Sequence, residues 1–130
     1  GHKFESYCGQ VIVDFVARDD SERERCFIAE LDGVRCGSIY CTWRTDEVAQ
    51  VRLLLVEPWA RGCGAGAALA QACVDFAREP GYSQIMLFTN SGLTSARRIY
   101  ESIGFEFRAE QPEEIFEGDD SVGQEFWLDL

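Results

Sequence analysis

The sequence predicts a mixed α/β domain with a mostly antiparallel sheet. Three observations carry that expectation. Asp32-Gly33 stands between two apolar runs as a two-residue hairpin signal, because both central residues of such a turn need positive φ. The run VAQVRLLLV ends in a stretch that is apolar on both faces, as a central buried strand is. Two segments of helical period, 64–78 and 91–105, alternate with strands instead of following them as a block.

In chain order, Phe4, Tyr7, Cys8, Val11, Ile12, Phe15 and Val16 recur at helical spacing, which predicts an amphipathic helix over 4–17. Asp19, Asp20 and Ser21 end it. RCFIAEL is a strand, Asp32-Gly33 the turn, VRCGSIYCTW its partner, and VAQVRLLLV a third antiparallel strand. A helix over 64–78 follows, with Ala65, Leu69, Ala70, Cys73, Phe76 and Ala77 as its buried stripe. Pro80-Gly81 stops it. QIMLFT is a short apolar strand. SGLTSARRIYESIGF is a helix through Leu93, Ala96, Ile99, Tyr100 and Ile103, stopped at Gly104. FEFRAE and GQEFWLDL are the last strands, joined by the acidic segment EQPEEIFEGDD.

Composition narrows the function classes. The 130 residues suit one domain, 1–130. The formal net charge of −11, with no basic stripe, argues against nucleic acid as a partner. No apolar run reaches the roughly 18–20 residues of a membrane span. Six cysteines form no C-x-x-C pair and a single histidine is present, so no metal site is expected. Cysteines within apolar patterns are read as reduced core thiols of a cytoplasmic protein. The chain opens Gly1-His2 without an initiator methionine, which is read as a tag remnant on a domain excised from a longer chain.

The segment from 53 to 75 holds the chemistry. After Val56 come five residues, then Gly62, Gly64 and Gly66, then an alanine-rich helix. A P-loop would end in Gly-Lys-Ser/Thr, which is absent. Gly62-x-Gly64-x-x-Ala67 fits the dinucleotide-binding fingerprint literally. That fingerprint follows its strand directly, however, and needs an acidic residue after the next strand, where this chain has FTN. What is left is an anion cradle: turn N–H groups facing one point, a helix N-terminus worth about half a positive charge, and Arg61 at the mouth.

Arg61-x-x-Gly64-x-Gly66 resembles the [Q/R]-x-x-G-x-[G/A] motif of the GNAT acetyltransferase superfamily. Ala96, Tyr100 and Gly104-Phe105 are similar to its A-x-x-x-Y-x-x-x-G-F signature. More narrowly, VRLLLVEPWARG with TNSGLTSARRIYESIGF resembles the acetyltransferase half of proteins in which a MarR-type regulator is fused to such a domain. The resemblance implies a GNAT-like mixed sheet with helices on both faces and a splay between strands four and five. It also implies acetyl-CoA as cosubstrate and transfer of its acetyl group to an amine, either a small molecule or a protein lysine. Backbone of Leu54, Leu55 and Val56 would meet pantetheine and the thioester carbonyl. Arg61, Gly62, Cys63, Gly64, Ala65 and Gly66 would hold the pyrophosphate. Tyr100 would protonate the departing thiolate, with aromatic packing as its alternative role. Asn90 would contact pantetheine or cap the helix.

Two departures stand out. Some members carry glutamate as a base where this chain has Gln50; Glu47 and Glu30 are neighbours in sequence only. Many relatives have asparagine where this chain has Leu93. Arg97 and Arg98 face either cofactor phosphate or solvent. The six carboxylates between Glu110 and Asp120 suggest a cationic acceptor or a solvated loop. Trp43, Trp59 and Trp127 are read as packing residues, with lining of a pocket as their alternative role. Such folds begin with a strand, and none is read here; a missing first strand would leave an open edge and favour a homodimer. An acetyl-CoA-binding sensor without turnover is the alternative function.

Overall fold

A computed structural model describes residues 9–16, 22–90, 94–111 and 123–130. Seven strands form one sheet in the order β1-β2-β3-β4-β5-β7-β6. They are β1 (Val11–Val16), β2 (Arg25–Leu31), β3 (Val34–Trp43), β4 (Val48–Val56), β5 (Gln84–Asn90), β6 (Glu106–Gln111) and β7 (Gly123–Asp129). Two helices are described, α1 (Ala65–Arg78) and α2 (Thr94–Ile103), with a 3-10 turn at Pro58–Ala60. All neighbours pair antiparallel except β4 and β5, which run parallel because α1 carries the chain across between them.

The beginning of the chain differs from expectation. Val11–Val16 is a strand, paired along its length with β2, and not the end of a helix. The segment VIVDFV is apolar in nearly every position, so it satisfies a helical period and an alternating one equally. Its β-branched content and the open edge of β2 decide the outcome. Val11 and Val13 lean on the core and the half-exposed Phe15 shares their face, with Arg25 over its ring, while Ile12 faces outward. The expected absence of a first strand is thereby corrected: β1 occupies that place and is one edge of the sheet, with β6 the other. Gly9 and Gln10 are not helical either; residues 4–8 and 17 of the expected helix lie outside the described residues, as do most of the acidic segment and Leu93.

The hairpin at Asp32-Gly33 has φ of 52° and 83°, the two positive values the sequence required. On one sheet face the register sets Phe27 beside Ile39, Cys41 beside Val51, Ala49 beside Ile85, and Leu87 beside Phe126. These join Leu69, Val74 and Phe76 of α1 and Tyr100 of α2 in one core cluster, so both helices close that face. The other face carries Tyr40, Arg52, Gln50, Met86 and Trp127 in register across four strands. No helix among the described residues is long and apolar enough to cross a membrane.

Candidate active site

The site begins where two strands part. β4 pairs with β5 only from Val48 to Gln50 against Gln84 to Met86. Beyond that point β4 runs on to Val56 and β5 to Asn90 with no ladder between them. A bulge in β4 accompanies the parting. Tyr40 opposes Arg52 and Ser38 opposes Leu55, so one residue of β3 faces two of β4. Leu53 absorbs the extra residue with φ of 56°, a left-handed value that costs a leucine about 1 kcal/mol or more. Gly37 of β3 makes the bulge possible. A Cβ there would lie 2.7 Å from the carbonyl oxygen of Leu55.

A cavity of about 500 Å³ occupies the split, lined by Gln50, Arg52, Leu54, Phe88, Asn90 and Tyr100 among others. Its walls come from both sheet faces. Tyr100 and Ala96 of α2 belong to the helix side, whereas Gln50, Arg52 and Phe88 belong to the opposite side. The parting of β4 from β5 thus lets side chains from both faces of the sheet line one cavity.

Tyr100 is buried, with its ring edge-on to Phe105 at 5.6 Å. Burial, and secondarily the nearby Cys73 thiol, raises its phenol well above the ordinary tyrosine value. The hydroxyl therefore stays protonated through the physiological range. Asn90 is buried at the end of β5 and lines the same cavity. Leu53 and Leu54 line it too, and the exposed side chain of Leu55 follows them in β4.

The glycine turn follows directly. Gly62 and Gly64 have φ of 82° and 85°, and Gly64 is the N-cap of α1 with no side-chain cap. Cys63 N–H donates to Ala60 and Arg61 N–H to Pro58. The N–H groups of Gly62, Gly64, Ala65, Gly66 and Ala67 find no acceptor among the described residues, so five donors gather at one helix start. Gly66 has a second duty: a Cβ there would meet Ile99 Cδ1 at 2.8 Å, so it lets α2 close on α1. Cys63 departs from the expectation of free thiols. It is disulfide-bonded, whereas Cys26, Cys36, Cys41 and Cys73 are free and buried. Its place in a half-exposed turn, outside any apolar pattern, accounts for the difference.

The structure thus brings Leu54, Asn90 and Tyr100 into one cavity. Leu55, Val56, Arg61, Gly62, Cys63, Gly64, Ala65 and Gly66 follow along β4 and into α1, outside the cavity wall. Neither Glu47 nor Glu30 reaches the cavity; Glu47 accepts a hydrogen bond from Ser83 Oγ at 3.0 Å instead. Arg97 is ion-paired with Glu101 at 3.3 Å on the surface of α2. Trp43 and Trp59 are about half exposed and do not serve as core residues. Arg52, Phe88 and Thr89 line the cavity and were not picked out by sequence. Gly37 was the available signal, since an isolated glycine within a strand marks a bulge or a close backbone approach.

A split mixed sheet thus leads, along one strand, to a glycine-capped helix start. The chain belongs to the acetyltransferase (GNAT) family, whose model matches residues 3–105. It is 33% identical over 79 residues to a mycothiol acetyltransferase of Thermomonospora curvata, covering 61% of this chain and 27% of that protein. It is also 33% identical over 82 residues to an N-acetylaspartate synthetase of Danio rerio, covering 62% of this chain and 29% of the relative. The chain therefore spans under a third of the length of these relatives. Among solved structures, a GNAT family acetyltransferase of Elizabethkingia anophelis with acetyl-CoA bound has the same fold. The TM-score is 0.75 at 13% identity, over 92% of this chain and 98% of that one. An IAA acetyltransferase of Bacillus cereus matches with a TM-score of 0.77 at 17% identity, over 93% and 100% of the two chains.

Proposed function

We propose that the domain transfers the acetyl group of acetyl-CoA to an amine by direct attack. The observation that carries this reading is the parting of β4 from β5 after Gln50 and Met86, with Tyr100 at the resulting cavity. Unpaired backbone in β4 suits a pantetheine arm lying along it as a further strand. The five N–H groups without acceptors at the start of α1 suit the pyrophosphate, with Arg61 beside them. Acetyl-CoA, when bound, supplies an activated acetyl thioester.

The chain's own residues do the rest. Backbone of Leu54, Leu55 and Val56 would position the arm, and an N–H from this stretch would stabilise developing carbonyl charge. Asn90 closes the β5 side. Tyr100 Oη holds a proton that burial prevents it from losing at neutral pH, ready for the sulfur that leaves. Among the described residues no carboxylate lines the cavity, and proton removal from the amine is assigned to water. The printed names of the relatives cover unlike acceptors and do not fix this one. Dimerisation through a vacant sheet edge loses its premise, since β1 is in place.

The amide at Gln50, where some relatives carry a glutamate base, also supports a second reading, an acetyl-CoA sensor that binds without turnover, joined to a MarR-type regulator. The matched relatives lend the regulator half no support. Calorimetry with coenzyme A and single-turnover transfer to a panel of amines separate the readings. Transfer to any amine supports the enzyme; binding with no transfer supports the sensor; no heat with coenzyme A removes both.

A further inference from the structure

The cavity is lined from two sheet faces of different chemistry. On the helix side it meets Tyr100 and Ala96. On the other side, two guanidinium groups converge on a single neutral atom. Arg44 Nη1 lies 3.3 Å from Gln50 Oε1 and Arg52 Nη2 lies 3.4 Å from the same oxygen. Arg44 also sits over the ring of Phe88, 5.4 Å from its centre, and Phe88 lines the cavity beside Arg52. Neither arginine has a carboxylate partner among the described residues.

Two like charges brought to one point are unfavourable, and an amide oxygen compensates them only weakly. The arrangement is the more notable in a chain of net charge −11, where carboxylates are plentiful. The pair is also far from the phosphate end. Six backbone steps along β4 separate Gln50 from Val56, about 20 Å at 3.3 Å per step, before the glycine turn begins. The cations therefore do not serve the pyrophosphate.

We propose that Arg44 and Arg52, held by Gln50, bind a carboxylate of the acceptor, so that the amine acetylated at this site belongs to an amino-acid-like molecule. This inference rests on the acetyl-transfer reading for its chemistry, although the anion site itself does not. Gln50 then has a positive reason to be an amide. A carboxylate at 50 would neutralise both arginines and compete with the acceptor's own charge. The reading runs against a cationic acceptor, to which two guanidinium groups are repulsive. It also gives the two sides of the cavity separate duties, thioester on the helix side and acceptor on the arginine side.

Two measurements test it. In the first, acetyl transfer is followed by thiol release for a panel of amino acids, their α-amides and spermidine. Carboxylate acceptors are expected to exceed the matching amides in kcat/KM by about 10- to 100-fold, the effect of a charge-assisted contact. Arg52→Gln and Arg44→Gln should raise KM for the carboxylate acceptors by a similar factor and leave KM for acetyl-CoA unchanged. Gln50→Glu should behave like the arginine variants, whereas a missing base restored by that change would raise kcat. Amides or spermidine performing as well as amino acids would overturn the proposal while leaving acetyl transfer intact. In the second, calorimetry compares N-acetylglycine with N-acetylglycinamide on wild type and Arg52→Gln, without coenzyme A. Preference for the carboxylate, lost in the variant, upholds the anion site even should coenzyme A fail to bind. Equal binding of the two probes overturns it.

Discussion

Replacing Tyr100 with phenylalanine separates catalysis from packing. The ring is buried, edge-on to Phe105, and part of the core cluster. Phenylalanine keeps that ring and removes only Oη. No hydrogen bond of this hydroxyl is formed among the described residues. Its loss should therefore change stability by about 1 kcal/mol or less. Tyr100→Ala, by contrast, would remove the ring and cost about 3–5 kcal/mol, confusing the two roles. If Oη delivers the proton to the leaving sulfur, Tyr100→Phe should lower kcat by about 10²- to 10⁴-fold, a barrier increase of about 3–5 kcal/mol. The assay is single-turnover acetyl transfer beside denaturant unfolding and coenzyme A calorimetry on both proteins. A kcat within about threefold of wild type, with unfolding and binding unchanged, refutes the acid role. A fall in stability that tracks the fall in activity refutes it differently, by making Tyr100 a packing residue.

Three further outcomes are expected. Gly64→Ala places a side chain at φ of 85° and should destabilise by about 1–2 kcal/mol, read as a lower Tm, with weaker coenzyme A binding because the helix start shifts. Gly37→Ala sets a Cβ 2.7 Å from a backbone oxygen that cannot turn aside; a loss of about 1–3 kcal/mol, together with reduced coenzyme A affinity, should appear in unfolding and calorimetry. Burial raises Tyr100, and raises Cys73 well above its ordinary value with Cys41 adding to the effect. The unfolded chain thus releases protons that the folded chain retains, so stability should be full below about pH 8.5 and fall as pH rises beyond it, checked by urea midpoints from pH 7 to 11.

Much of the fold was legible because local signals agreed. The hairpin at Asp32-Gly33 and the strands beside it follow from residue chemistry alone, as does a helix opening on Gly64. The first strand was not legible. VIVDFV is apolar in both possible phases, so only its pairing with β2 selects the extended form. In the site, Tyr100 and the glycine turn were visible as motif positions. Arg44 and Arg52 were not, since they are eight residues apart and meet only because the strand pair β3–β4 folds them onto Gln50. The bulge was hidden as well. Leu53, Leu54 and Leu55 are identical in type, and nothing local tells which of them takes positive φ. The hint lay in the neighbouring strand, at Gly37.

That bulge ties the fold to the proposed chemistry. A regular β4 would alternate its side chains without interruption and would place Leu54 on the face that Arg52 occupies. The extra residue at Leu53 resets the phase. Arg52 stays on the face opposite the helices, while Leu54 and Val56 turn into the core and anchor the strand from beneath. β3 holds the far side through Ser38 and Gly37. The free edge of β4 is thus fixed by side chains below and by one neighbour, and its remaining backbone groups face the split. An edge held in this way needs no ordering when a ligand arrives, so less entropy is lost on binding. The strain at Leu53 is the local cost of that arrangement, and it sits between the arginine pair and the stretch proposed to hold the cosubstrate. One residue out of phase is what lets a single strand present a cation on one face and an open ladder toward the other.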